Sequence, residues 1–198
     1  MGPTSTWAFY RRIIILLEQH IPRSPLTPPD PFNTEGTAFQ LEWTPVGPKE
    51  IPNLEGLPPA DRSIYLFHTV KFHLGELSQL IHGPTFLSVL EKFNANPAQV
   101  AHKQRVWFVE YLLVLAFGEA FLAASGSASA PPGSEYAARA MALLPDYAHL
   151  HEEGLVSIEV LTLAALYFHS IDMRVSAFQL VSSPGYFVPI EVAGLTCP

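Results

Sequence analysis

The chain has 198 residues, of which 48% are hydrophobic and only 15% charged, and its net charge is −7. A chain of this length can bury roughly 70% of its unfolded surface, so one domain with a real core is expected. The excess of acidic residues and the absence of any Lys/Arg run argue against nucleic-acid binding by this chain alone, because phosphates need several cations on one face. The single cysteine, Cys197, excludes a disulfide framework and a thiolate metal cluster.

Neither a signal peptide nor a membrane span is predicted. The apolar run 13–17 is too short for the core of a signal peptide, so the reducing interior of the cell is expected. Residues 106–124 are long enough to span a bilayer, but they contain Glu110 and Glu119. Because an ionised carboxylate at mid-membrane costs about 2–3 kcal/mol, buried helices of an all-α domain explain this run better. A membrane-anchored helical protein remains an alternative.

The first sixty residues divide into a helix and a proline-rich arm. Residues 4–20 form an amphipathic pattern, with Arg11 and Arg12 on its polar side. The prolines that follow forbid long helices up to residue 60. Aromatic and aliphatic residues are spread through this arm, so we expect it to lie extended against a helical body, with residues 39–43 as one short extended piece.

The remaining chain shows the three- and four-residue spacing of buried helices. We expect Asp61 to cap the first of them, Pro84 to begin the second, Ser134 to cap a later one, and residues 146–154 to form a linker. The predicted helices cover residues 61–81, 84–93, 98–125, 135–144, 157–170 and a last one after 174. The fold class is therefore all-α, a multi-helix domain of loosely stacked helical hairpins with a proline-rich extended N-terminal arm.

The stretch 157–180 is predicted to be a buried helical hairpin. Residues 157–170 are apolar almost all round. Asp172 can cap the second helix, which carries Val175, Phe178 and Leu180. The polar side chains of the first helix fall on one narrow stripe: Glu159, Thr162, His169 and Ser170.

Histidine spacing gives little reason to expect a metal site. The run His149, His151, Glu152, Glu153 matches no zinc pattern and is more typical of a solvated loop. His68 and His73 point about 140° apart on one helix, so they cannot share a ligand. His82 is expected near a helix end, where it could donate to free carbonyls. We therefore predict no catalytic residue, no cofactor-binding residue and no metal ligand in this chain.

Two acids and three serines are the remaining candidates for catalysis. Perturbed carboxylates at Glu110 and Glu119 could perform acid–base chemistry, but such residues more often mark a wet edge or pair with an arginine. Ser125, Ser127 and Ser129 lie outside any G-x-S-x-G elbow. No phosphate-binding loop or dinucleotide fingerprint occurs, so the protein is not expected to be an enzyme.

Several short segments occur in a fixed order at residues 2–7, 67–74, 83–87, 112–118 and 132–140, and above all at 157–161, 165–168 and 171–174. In this order they resemble the regulatory domain of fungal zinc-cluster transcription factors, the xylanolytic-activator-type "fungal-specific transcription factor domain". The similarity covers most of residues 2–181.

This resemblance implies a nuclear protein that regulates RNA polymerase II transcription through apolar helix packing. Its partners would be other proteins or the rest of its own full-length chain, with homodimerisation possible and no membrane. Zinc and DNA contact would belong to the family's six-cysteine cluster, which one cysteine cannot build, so no cofactor is expected in this chain. The alternative is a small helical enzyme or a ligand-binding protein with a pocket between its helices.

The implied domains are the helix and arm over 1–60, an incomplete regulatory domain over 61–181 and a tail over 182–198 outside the family pattern. Val181-Ser182 is also what a retained intron donor, GTAAGT, would encode. Sequencing of the spliced transcript tests this hypothesis, and a mature message that still encodes the tail would rule it out.

Overall fold

The computed structural model describes residues 39–123 and 130–182, together with Ile13, Leu16, Gln19 and His20. Within these residues the chain is helical and contains no β-strand, which confirms the all-α prediction. A 3₁₀ helix covers Gly75–Leu80. The α-helices are α1 (Ala60–Leu74), α2 (Gly83–Ala95), α3 (Pro97–Lys103), α4 (Arg105–Leu122), α5 (Ser134–Leu143), α6 (Tyr147–Glu152), α7 (Leu155–Ser170) and α8 (Arg174–Ser182).

Helix α4 lies at the centre of the body. It packs against α1, α5 and α7, and nearly all of its side chains are buried. Gly118 permits the crossing with α1, because a Cβ at this position would lie 2.8 Å from the side chain of Leu66. Rings from α2 and α4 fill one end of the core, where Phe86, Phe93, Trp107 and Tyr111 stand 5.3–6.5 Å apart.

Three predicted boundaries were wrong. The helix expected over 61–81 stops at Leu74, because Gly75 has φ 55°, and it continues only as the 3₁₀ helix. The helix expected over 98–125 is two helices separated at Gln104, where ψ is 57°. Neither glycine nor proline marks that break, so local sequence did not reveal it. The expected linker 146–154 contains α6.

Two predicted caps were also wrong. Helix α1 begins at Ala60 after Pro59, so Asp61 lies inside the first turn, where its charge still favours the helix N-terminus. Helix α5 follows Gly133, and Ser134 is its first residue, with a buried side chain. Gly133 has φ 77°, and a Cβ there would come 2.2 Å from the carbonyl oxygen of Ala116, so the entry to α5 needs glycine.

The described part of the arm, residues 39–59, lies against the body as predicted. Leu41 is buried, whereas Gln40 and Glu42 are exposed, so the alternation expected over 39–43 is present without strand pairing. The backbone N–H of Val46 donates to the carbonyl of Ala142 at 2.8 Å. Most of residues 4–20, the loop serines Ser125, Ser127 and Ser129, and the tail after Ser182 lie outside the described residues.

Candidate functional site

The turn between α7 and α8 holds the segment Ile171-Asp172-Met173-Arg174. Asp172 adopts φ 72°, and the N–H of Met173 donates back to the carbonyl of Phe168 at 2.9 Å, a left-handed helix ending. The side chain of Asp172 accepts a hydrogen bond from Nε of Arg174 at 2.9 Å. This bond joins the turn to a side chain in the first turn of α8, the helix that Asp172 was expected to cap.

The arm is anchored on this same turn. The N–H of Leu41 points at Sδ of Met173, 3.3 Å away, and both residues are buried. The ring of Trp43 stacks on Phe168 with centroids 5.9 Å apart. Three of the residues that carry the family resemblance thus shape or contact the place where the arm meets the hairpin: Asp172, Met173 and Phe168.

Arg105 clamps the middle of the arm. Its Nη2 donates to the carbonyl of Val46 at 2.7 Å, its Nη1 to that of Gly47 at 3.0 Å, and its Nε to that of Leu143 at 2.9 Å. A cation at the start of α4 is unfavourable for the helix dipole by about 0.3–1 kcal/mol, so these carbonyl oxygens have to offset that cost. Partial burial lowers the pKa of Arg105, while Glu50 opposes this effect.

A second group of donors holds the arm further along. The guanidinium of Arg139 donates to the carbonyl of Glu55 at 3.0 Å and also to that of Asn53. The hydroxyl of Tyr136 donates to the carbonyl of Gly56 at 3.1 Å. Prolines supply no N–H groups, so the carbonyls of such a segment need donors from elsewhere. The sequence did not predict that Arg105, Arg139 and Tyr136 hold the arm. The density of prolines was nevertheless a signal that its carbonyls would need hydrogen-bond donors from elsewhere.

Glu110 is a buried acid in the centre of α4. Its side chain is only 3% exposed, and burial together with repulsion from Glu159 raises its pKa to about 8. Glu159 is half-buried on α7, so it ionises first and the repulsion falls on Glu110. The pKa of Glu159 is itself raised by burial, an effect that His82 opposes. At neutral pH Glu110 is therefore mostly the neutral acid.

Glu119, the second acid of α4, pairs with an arginine, one of the two ordinary roles expected for it. Its carboxylate receives two hydrogen bonds from Nη2 of Arg62, at 2.9 and 3.2 Å. Both side chains are about a third exposed or more, so the pair contributes little to stability. The two acids of one helix thus have opposite environments.

The histidines take separate roles. His149 bonds to Asp146, the N-cap of α6, at 2.7 Å, and this bond raises its pKa. His73 bonds to the carbonyl of Thr69 and stacks on Phe121, whereas His68 contacts Phe67. His82 precedes α2 and bonds to the hydroxyl of Thr85 at 2.7 Å, rather than to a helix-end carbonyl. Among the described residues, no three His, Cys, Asp or Glu side chains are grouped to hold a metal ion.

The outer surface of the hairpin is apolar. On α8, Val175 and Phe178 are exposed, the latter at 68%, and so is Val181, while Leu180 packs against the core. On α7, Leu155 is 72% exposed at the first position of the helix. The burial expected for this hairpin therefore holds for its inner side and fails for Val175 and Phe178.

No protein-family model matches the chain, and neither a curated protein nor a solved structure is detectably similar to it. In the part of the chain that the structure describes, no helix is both long and apolar enough to cross a membrane.

Proposed function

We propose that this chain is the regulatory domain of a fungal transcription factor, acting in the nucleus on RNA polymerase II transcription through helix-packing contacts. DNA binding and zinc would be supplied by a cysteine cluster outside the sequence. The observation that carries the proposal is the open apolar face of α8, formed by Val175, Phe178 and Val181. This face begins directly after the Asp172-Met173-Arg174 turn, which belongs to the hairpin that carries the strongest part of the family resemblance.

The chemistry of such a face is docking rather than bond-making. Three apolar side chains spaced by three residues fall on one side of a helix, which is the pattern that a partner helix or groove recognises. The acids of α4 give no support to catalysis, because Glu119 is occupied by Arg62 and Glu110 is buried. An exposed aromatic ring such as Phe178 is the kind of anchor that dominates protein interfaces.

A reporter assay tests the proposal. The full chain is placed between a heterologous DNA-binding domain and an activation domain, and we expect Phe178→Glu to change reporter transcription at least threefold. Gln179→Glu is the matched control, because it puts the same charge on the exposed neighbour in α8 and should leave transcription unchanged. Equal reporter output from both variants, at equal protein level and promoter occupancy, would contradict the proposal.

The genomic sequence upstream of Met1 gives an independent test. A regulator of this family should have an upstream exon that encodes the spacing C-x₂-C-x₆-C. An upstream region without it would favour the alternative of a small helical enzyme or ligand-binding protein.

One feature favours that alternative. A cleft of about 610 Å³ lies between the arm and α6 and is lined by charged groups that include His102, Lys103, Arg105, His149 and Glu152. A ligand that enters it should raise the melting temperature, and His102→Ala should abolish that shift. A screen of small charged metabolites without any such shift would count against a ligand site here.

A further inference from the structure

Helix α7 has one face that the described body covers only in part. Stepped at 100° per residue, its side chains that are not buried fall mostly within an arc of about 100°. We call this face the α7 stripe; it comprises Leu155, Ile158, Glu159, Thr162, Leu166 and His169. Leu155 and His169, at the two ends of the stripe, are exposed, and the four residues between them are half-buried. The helix packs mainly against α4 and α8 and also touches α5 and the 3₁₀ helix.

The N-terminal segment of the same chain has an apolar face that also needs cover. Ile13, Leu16, Gln19 and His20 lie in a helix, in which the ring of His20 bonds to the carbonyl of Leu16 at 2.7 Å. Ile13 and Leu16 are 39% and 50% exposed. The sequence pattern predicts this helix over 4–20, which at about 1.5 Å per residue gives about 25 Å, close to the length of α7.

The chain itself brings the two faces together. The arm is anchored at the C-terminal end of α7, where Trp43 stacks on Phe168 and Leu41 contacts Met173. Only residues 21–38 separate this anchor from the N-terminal helix, and an extended, proline-rich segment of that length spans about 55 Å. Helix α7 has 16 residues and is about 24 Å long, so every position along it lies within reach of the tether.

Charge favours the same pairing. Glu159 lies on the α7 stripe, with Glu152 and Glu153 exposed just before it. The cations and imidazoles near these acids are His82 beside Glu159, and His102 and Lys103 in the cleft shared with Glu152 and Glu153. The N-terminal segment places Arg11 and Arg12 at the two edges of its polar face, on either side of its apolar seam. Side chains at such edges can reach acids that flank a docked helix.

We propose that the N-terminal helix, residues 4–20, docks on the α7 stripe of its own chain. The α7 stripe accepts its apolar seam, and Arg11 and Arg12 pair with the acids around Glu159. This contact concerns α7 and the purified chain, whereas the reporter assay concerns α8, so either proposal can fail while the other stands.

Disulfide trapping in the full chain tests the docking. In a Cys197→Ser background, Ile14→Cys combined with Thr162→Cys should form an intramolecular disulfide about tenfold faster than the control pair. The control combines Ile14→Cys with Glu135→Cys, which lies exposed on α5. Equal rates for the two pairs would overturn the proposal. Disulfide-linked dimers that increase with protein concentration would also overturn it, in favour of a second copy on the stripe.

Hydrogen exchange supplies a test that does not depend on introduced cysteines. The double variant Arg11→Glu, Arg12→Glu should make amides along α7 exchange several-fold faster than in the unmodified chain at neutral pH. Amides of α5 serve as the internal reference, because α5 does not carry the stripe. Unchanged exchange along α7 would overturn the proposal.

Discussion

Helices α4 and α7 are about equally apolar but have different surroundings. Both are apolar on almost every side, and each carries a glutamate in its first half, Glu110 or Glu159. Helix α4 is enclosed by α1, α5 and α7, whereas α7 packs mainly against α4 and α8 and only touches α5 and the 3₁₀ helix. The same kind of sequence thus gives a central helix in one place and a helix with a half-exposed stripe in another, because the body encloses α4 more fully.

The largest expected effect is a cavity in α4. Phe108 has no exposed surface, so Phe108→Ala should lower the free energy of unfolding by about 3–5 kcal/mol. Ile51→Ala, at a side chain that is 71% exposed in the arm, should change it by less than about 0.5 kcal/mol. Urea unfolding followed by circular dichroism measures both, and a similar loss for the two variants would contradict the central position of Phe108 in the core.

Glu110 should make stability depend on pH. Its folded pKa of about 8 lies above the value of 4.5 for the free side chain, so its contribution is complete below pH 4.5 and is lost as pH rises through 8. The Glu110→Gln variant has no such loss. The difference in free energy of unfolding, variant minus parent, should therefore rise by about 3 kcal/mol between pH 5 and pH 8. Urea unfolding at both pH values tests this, and a constant difference would contradict the burial of a neutral acid.

The arm should be held less firmly when the guanidinium of Arg105 no longer bonds to its backbone carbonyls. Arg105→Lys keeps the charge but cannot reach Val46, Gly47 and Leu143 together, so a loss of about 2–3 kcal/mol is expected. Limited proteolysis should then cut within residues 44–52. Arg62→Lys, at a guanidinium that bonds to Glu119 of α4, is the control and should leave the arm protected. Equal protection of the arm in both variants would argue against the clamp.

Glu119 should give the smallest effect and is the natural comparison for Glu110. Glu119→Gln weakens a partly exposed pair with Arg62, so the free energy of unfolding should fall by about 0.2–1 kcal/mol. High salt should remove most of this difference. A loss above 2 kcal/mol in the same urea titration would mean that this pair is more deeply enclosed than its exposure indicates.

The amino-acid sequence by itself determined the helical class, the hairpin α7–α8 and the end of α2 before Pro97, because spacing and backbone preference are local properties. It also indicated an arginine partner as one of two ordinary roles for Glu119. Tertiary structure alone decided the break at Gln104, the clamp by Arg105 and the neutral state of Glu110. The last two depend on groups that are distant in the chain: the carbonyls of the arm 55–59 residues before Arg105, and Glu159 opposite Glu110. No local pattern records which atoms will face a side chain once the helices pack.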